Sequence, residues 1–335
     1  MKAWVYYNRR NLRFAEIPIP SPKEEEVLIK VTTCGICQTD IDEFMGGPKL
    51  FEPVPIIPGH EFGGKVVEIG KNLPVSLIGK TVIVSPLVAC GKCMYCKNDQ
   101  PNLCEKMGYY GIIKYNGGFA EYALVNRNNI IEFDDQDVLH FGEIFLIALR
   151  VKNIIEKFAY LGKRALVSGG GPVGLSVSLV LRDYGWEVEL CEIRPNRRKF
   201  AENLGIKTYS FINEVPENNY SVVIDCAGED PAIPYVFPDQ IPRVIKGGAL
   251  ILVGVYFSDV KLNALKTLFN EINIIPCFLY TYKEIQELPE ILKKFNVLIK
   301  KMTQFINLED LIEALLEIEV NKDRYIKIAI KNADN

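Results

Sequence analysis

From Arg164 to about residue 275, short apolar runs of strand type alternate with segments suited to helical crossovers, and no other feature limits the fold as tightly. The strand-like runs are RALVSG, EVELCE, KTYSF, SVVIDCA and ALILVGVYF. PVGLSVSLVLRDYG, PNRRKFAENLG and PAIPYVFPDQIPRVIKGG lie between them as crossovers, the third Pro-rich and only partly helical. Continuously apolar strands joined by crossovers imply a parallel, doubly wound sheet. The alternation follows a helical stretch, IFLIALRVKNIIEKF. Before Glu143 the texture differs: KAWVYY, EEEVLIKVTTC, GKVVEIG, KTVIVSPL and FAEYALV are β-type runs punctuated by Gly and Pro, as in a β-rich or barrel-like domain with functional loops. After residue 275, YKEIQELPEILKKF and NLEDLIEALLEI read as amphipathic helices and RYIKIAI as a last strand. With 335 residues the chain exceeds the usual size of one core, so an α/β protein of two domains is expected.

Four of the nine cysteines fall within CGKCMYCKNDQPNLC, at Cys90, Cys93, Cys96 and Cys104. Gly91, Asn98, Asp99 and Pro101 let this loop fold around an ion. Four thiolates satisfy a tetrahedral structural zinc and leave no coordination position open, so the loop suits a staple rather than a catalyst. An iron–sulfur cluster uses similar ligands, and spacing alone does not choose between the metals. A disulfide pair and unliganded buried cysteines are the plainer alternatives.

A second ligand set is sparser. His60, one of two histidines, sits in PGHEFGG among Pro58, Gly59, Gly63 and Gly64, beside Glu61. Cys37, in TTCGICQTD, follows a β-type run. Cys, His and carboxylate can hold a catalytic zinc with one position open. The alternative for Cys37 is a small buried apolar residue.

Cys-Gly-Ile-Cys-Gln-Thr-Asp at 34 to 40, Pro-Gly-His-Glu at 58 to 61, the cluster at 90 to 104, Gly-Gly-Phe-Ala-Glu-Tyr at 117 to 122 and the Gly-rich turn at 169 to 174 occur in this order along the chain. The series resembles zinc-dependent medium-chain alcohol and polyol dehydrogenases, over essentially the whole length. The resemblance implies a GroES-like β-rich catalytic domain, residues 1–147 and 277–335, with a structural zinc loop at 90–104. A Rossmann doubly wound parallel-sheet domain, residues 148–276, is inserted in it, and the active site lies in the cleft between them. Cys37 and His60 would be catalytic zinc ligands, and Glu61 a ligand or a close carboxylate. Glu143 stands where sorbitol-dehydrogenase-like members carry a Glu-Pro pair near the metal, although here Ile144 replaces the Pro. The absence of the Cys found there in another branch favours the polyol or sugar-alcohol side. Thr39 would sit beside the reacting hydroxyl and relay its proton, while Cys34 corresponds to a packing position. Many relatives carry His three residues after this Thr to pass the proton outward; this chain has Asp42.

SGGGPVG fits G-x-G-x-x-G through Gly169, Gly171 and Gly174, with Pro172 and Val173 opening the helix that follows the strand ALVS. That context places a pyrophosphate at a helix N-terminus. Glu192 lies 18 residues beyond Gly174, at the distance where a carboxylate meets the adenosine ribose hydroxyls and repels a 2'-phosphate. NAD is the expected cofactor. Arg194, Arg197 and Arg198 keep NADP open, and Arg197 is expected near the ribose in either case.

The expected reaction is zinc-assisted hydride transfer between an alcohol, polyol or sugar and NAD(P). A zinc-free quinone or enoyl reductase of the same plan gives Cys37 and His60 no role, and a non-enzymatic zinc-binding interaction module leaves the glycine turn unexplained. A net charge of −3 gives no basic surface for nucleic acid. The start MKAWVYYNRRNLRF is no signal peptide, no apolar run is long enough for a bilayer, and a cysteine-rich chain of this kind fits the cytoplasm. Relatives suggest a homodimer or homotetramer. Phe44, Phe51 and Tyr109 are candidates to line the substrate pocket, though ordinary packing accounts for each taken singly.

Overall fold

The apolar runs between Arg164 and Pro276 form a six-stranded sheet in which every pairing is parallel. A computed structural model describes residues 1–47, 49–228 and 236–332. The chain divides into two units, Met1–Glu143 with Thr281–Asn335, and Ile144–Tyr280.

In the second unit the strands lie in the order Lys207–Tyr209, Glu187–Cys191, Arg164–Ser168, Tyr220–Asp225, Val244–Leu252, Asn273–Pro276. Numbered along this unit that is 3-2-1-4-5-6, the doubly wound order in which a dinucleotide binds where the winding reverses. Tyr220–Asp225 is buried at every position, which is why its sequence reads as an unbroken apolar run. Helices Pro172–Asp183 and Pro195–Asn203 form where the first two crossovers are expected. Of the third, PAIPYVFPDQIPRVIKGG, residues 231–235 lie outside the described residues; a short helix Val236–Gln240 and the turn Ile241–Arg243 lead into the next strand.

The first unit is built on a mixed seven-stranded sheet in the order Ile130–Glu132, Thr81–Val84, Glu61–Ile69, Glu26–Gly35, Lys327–Lys331, Thr303–Ile306, with Tyr122–Asn126 also paired to Glu26–Gly35. Glu26–Gly35 organises the sheet. Val27, Leu28, Ile29 and Val31 are all buried, so the strand is covered on both faces. One edge pairs with Glu61–Ile69, setting Gly35 opposite Glu61. The other edge is divided: residues 26–30 face Tyr122–Asn126, and residues 33–35 face Lys327–Lys331. The last strand of the chain is thereby drawn to the point where Cys37 follows.

A small sheet of Leu87–Val88, Gly108–Tyr110 and Lys114–Tyr115 flanks the four-cysteine loop. Helices Tyr282–Met302 and Leu311–Val320 complete this unit; the first begins with a capping box in which Thr281 N–H donates to Glu284 Oε2 at 2.7 Å. Among the described residues no helix is long and apolar enough to cross a membrane.

Candidate active site and metal centres

Among the described residues, two groups of His, Cys, Asp or Glu bring their ligand atoms within 4.8 Å of one another: Cys90, Cys93, Cys96 and Cys104, and Cys37, His60 and Glu61. In the first, Cys93 Sγ lies 3.5 Å from Cys96 Sγ and 4.0 Å from Cys104 Sγ, and Cys90 Sγ lies 4.0 Å from Cys96 Sγ. Backbone amides turn inward to the sulfurs: Cys93 N–H donates to Cys90 Sγ, and Cys90 and Lys106 N–H to Cys104 Sγ. Such donors favour thiolates, and those of Cys96 and Glu105 bring the Cys93 thiol down to about 6. Cys96, desolvated and hydrogen-bonded to Cys93 and Cys104, is pushed up to about 12. Four sulfurs this close cannot all ionise without a cation, so the loop fits a thiolate-bound metal. No disulfide forms; all nine cysteines are free.

The second group is assembled from three elements. Cys37 ends the run of Glu26–Gly35 and caps helix Gln38–Met45, where its N–H donates to Asp40 Oδ2 at 2.9 Å. Thr39 Oγ1 lies 3.7 Å from Cys37 Sγ. His60 precedes strand Glu61–Ile69 and is aimed by Gly59, whose φ of +88° and contact with Phe119 and Cys34 exclude a side chain. Cys34 is buried in that packing, outside the metal group. Glu143, in the first turn of helix Gly142–Ile155, places Oε2 3.6 Å from His60 Nε2. On the other side of the ring, His60 Nδ1 faces Asp40 Oδ1 at 3.8 Å, and neither atom has a hydrogen-bond partner.

The electrostatics call for a cation. Burial disfavours the protonated ring, yet Asp40, Glu143 and Cys37 hold the His60 pKa well above its ordinary value. Burial raises the carboxyls of Asp40 and Glu143. Glu61 forms a buried ion pair with Lys327, whose Nζ also donates to Ile36 O at 2.8 Å. Three buried acids and a thiol face one ammonium and one imidazole, so acidic groups outnumber basic ones in this pocket, an imbalance that a divalent ion would offset. The donor set of soft sulfur, imidazole and carboxylate fits zinc.

In the second unit, Gly169 adopts φ +95° and its N–H donates to Cys191 O at 2.8 Å. A Cβ on Gly174 would lie 1.8 Å from Gly169 O, so the turn and helix Pro172–Asp183 pack only with glycine there. Gly171 caps that helix, Pro172 and Val173 begin it, and the turn falls at the reversal of strand order. Glu192 is buried and accepts from Gly170 N–H at 2.7 Å and Arg194 N–H at 2.8 Å. The Arg197 guanidinium lies over the turn, 3.5 Å from where a Cβ on Gly171 would stand. Arg198 donates to the carbonyls of Glu192 and Ile193.

Residues 23–135 match the model of the alcohol dehydrogenase GroES-like domain. The (R,R)-butanediol dehydrogenase of Bacillus subtilis (strain 168) is 28% identical, with 99% of each chain covered. The sorbitol dehydrogenase of the same organism is 27% identical over 84% of this chain and 82% of its own. The crystal structure of 2R,3R-butanediol dehydrogenase from Bacillus subtilis superposes with a TM-score of 0.87 at 26% identity, covering 98% of this chain and 99% of the other. These similarities, which extend over nearly the whole chain, support a zinc-type medium-chain dehydrogenase/reductase. Its α/β architecture, a GroES-like unit with a doubly wound unit, matches that of these dehydrogenases.

Sequence reasoning passed over two residues at the metal pocket, Asp40 and Lys327, and named a third, Tyr109, only as a candidate pocket aromatic. Asp40 was visible only as an acid three residues after the helix cap at Cys37. Lys327 is a lone charge in the middle of RYIKIAI, at an inward position of the strand. Tyr109 is more than a packing residue: its hydroxyl donates to Glu143 Oε1, and its ring centroid lies 6.0 Å from that of His60. Phe44 and Phe51 belong to the hydrophobic core of the first unit. Asp42 accepts from Gln38 Nε2 at 2.8 Å and is influenced by Lys322 and Glu319 near helix Leu311–Val320.

Proposed function

We propose that Cys37, His60 and Glu143 hold a catalytic zinc and that Glu192 and the glycine turn hold NAD, in an enzyme oxidising polyols or vicinal diols. The chain is an NAD(P)-dependent alcohol/polyol dehydrogenase. The observation that carries the residue assignment is the buried cluster of Cys37, His60 and three carboxylates, in which acidic groups outnumber basic ones, bordered by the Thr39 hydroxyl. Glu61 is already neutralised by Lys327, whereas Glu143 keeps Oε2 turned to His60. Glu143 is therefore the candidate for the direct ligand, with Glu61 beside it.

When bound, zinc supplies a Lewis acid that lowers the pKa of a substrate hydroxyl, and NAD(P)+ supplies the acceptor of the carbinol hydride. Cys37, His60 and Glu143 would hold the first group, and Asp40 faces the Nδ1 side of the His60 ring. Thr39 Oγ1 receives the hydroxyl proton and passes it outward. Glu192 offers a buried carboxylate to the adenosine ribose, which favours NAD over NADP, and Arg197 lies beside it. Cys90, Cys93, Cys96 and Cys104 hold a second, structural zinc.

Residues 1–147 and 277–335 are proposed as the catalytic domain and 148–276 as the dinucleotide domain. A homodimer or homotetramer is part of this reading; the edge strand Asn273–Pro276 and the exposed Leu265, Leu268 and Phe269 support it. Its free cysteines suit the cytoplasm. Butanediol and sorbitol are the substrates named for relatives, so diols and sugar alcohols head the list. Zinc-free and non-enzymatic readings leave the Cys37–His60–Glu61 grouping unexplained.

The test is a screen of alcohols, polyols and sugars with NAD+ and NADP+ separately, with metal counted per chain. Two zincs are expected, and Cys37→Ser should abolish turnover and lose one of them. A fully active Cys37→Ser enzyme would overturn the assignment.

A further inference from the structure

We propose that Tyr109 is a positioning residue for the catalytic metal: its phenol holds one oxygen of Glu143 so that the other stays turned to the metal-binding group. The inference rests on the reading of Glu143 as a ligand and goes beyond it.

Tyr109 lies in the centre of the three-stranded sheet, opposite Leu87, and is buried. Successive side chains of a strand point to opposite faces. Tyr110 points away, its hydroxyl accepting from Asn126 N–H at 2.9 Å and its ring meeting Phe62 edge-on at 6.5 Å. Tyr109 therefore points to the pocket, where its hydroxyl donates to Glu143 Oε1 while Glu143 Oε2 lies 3.6 Å from His60 Nε2. A carboxylate with both oxygens free rotates between ligating and non-ligating arrangements. One oxygen tied to a buried donor removes that freedom and fixes which oxygen is offered to an ion.

The strand that carries Tyr109 starts from the four-cysteine loop. Lys106 N–H donates to Cys104 Sγ at 3.4 Å, Met107 N–H donates to Cys104 O at 3.1 Å, and the strand begins at Gly108. Thiolates that close around an ion thus anchor the strand that sets Glu143. The closed site, which has no room for substrate, acts on the open one through the placement of a single phenol.

The experiment measures zinc release from the zinc-loaded full chain to a chromophoric chelator, for the wild type, Tyr109→Phe, Glu143→Gln and the double variant. Tyr109→Phe should weaken the more exchangeable zinc by about 10- to 100-fold, the usual effect of removing a ligand's own partner. The tightly held zinc should be unchanged, and the double variant should be no weaker than Glu143→Gln alone. That non-additivity is something a merely structural tyrosine does not produce. Cobalt(II) at the exchangeable site, with zinc kept in the four-cysteine loop, gives a second readout: its d–d absorption should shift in Tyr109→Phe. Wild-type affinity and an unchanged cobalt spectrum in Tyr109→Phe, while Glu143→Gln loses the ion, overturn the proposal and leave the reading of Glu143 intact. Fully additive losses overturn it as well. Retention of both zincs in Glu143→Gln and in Cys37→Ser defeats the underlying ligand assignment instead.

Discussion

Lys327, on the last strand of the first unit, forms a buried ion pair with Glu61, the residue after His60. The pair depends on Gly35, because a Cβ there would lie 2.2 Å from Glu61 Oε2 and 2.8 Å from Lys327 Cε. Burial opposes the charge on Lys327, but Glu61 and Cys37 hold its pKa above the ordinary value. The ammonium is thus a fixed part of the metal pocket, contributed by a strand that completes the sheet from the far end of the chain.

Replacing Lys327 by Met leaves Glu61 buried without its partner. The metal-free chain should lose about 3–5 kcal/mol of stability, the range for removing one member of a buried pair. Zinc should reduce the loss, because Glu61 then has a cation beside it. Urea unfolding with and without zinc measures both values. A loss below about 1 kcal/mol, the range of an exposed pair, would show that Glu61 is solvated in solution.

His140 gives the first unit a dependence on acid. It is fully buried, packed edge-on against Phe141 and Phe305, with Nε2 3.0 Å from Thr303 Oγ1. The Thr303 hydroxyl donates to Ile299 O, so His140 Nε2–H is the donor, and the buried Nδ1 has no hydrogen-bond partner. Burial, with a smaller contribution from Lys327, holds its pKa well below 6.5. The unfolded chain therefore takes up this proton before the folded chain does. Stability is intact above about pH 6.5 and falls as the pH drops below it, by up to about 1.4 kcal/mol per pH unit. Urea midpoints from pH 7.5 to 5 for the zinc-loaded protein, in which His60 is occupied, should show this slope. His140→Gln should flatten it while retaining a donor to Thr303; an equal slope in the variant assigns the acid sensitivity to other groups.

Different parts of this molecule were legible in the sequence to different degrees, for physical reasons. Strand Tyr220–Asp225 is covered on both faces and reads as an apolar run, and Gly169 and Gly174 were visible because only glycine fits their turn. The grouping of the four cysteines followed from local spacing. Asp40 and Lys327 were not visible as site residues, and Tyr109 only as a candidate pocket aromatic. Lys327 and Tyr109 act across sheet registers that no local pattern encodes, Ala329 opposite Gly35, Gly35 opposite Glu61 and Leu87 opposite Tyr109, and Asp40 faces His60 from a helix distant from it in sequence. Glu143 came to notice through family resemblance alone. In isolation it is an acid in the first turn of a helix, where acids are common for reasons of the helix dipole.

Stripping the metal should expose an order of reactivity among the four clustered thiols. Backbone amides bring Cys93 to about 6, so it is largely thiolate at neutral pH, while Cys96 at about 12 is almost wholly protonated. Cys90 is also lowered, by the amides of Lys92 and Cys93. Because the thiolate is the nucleophile, a brief pulse of iodoacetamide at pH 7 should label Cys93 and Cys90 well before Cys96. Mass spectrometry of the digested chain reads the order directly. Zinc added before the pulse should protect all four together, since coordination ionises each sulfur and occupies its lone pair. Protection of these four with Cys37 still labelled would separate the closed site from the open one. If Cys96 is labelled as fast as Cys93 in the stripped protein, the inward amides do not hold the loop without its ion, and its fold is made by the metal rather than ready for it.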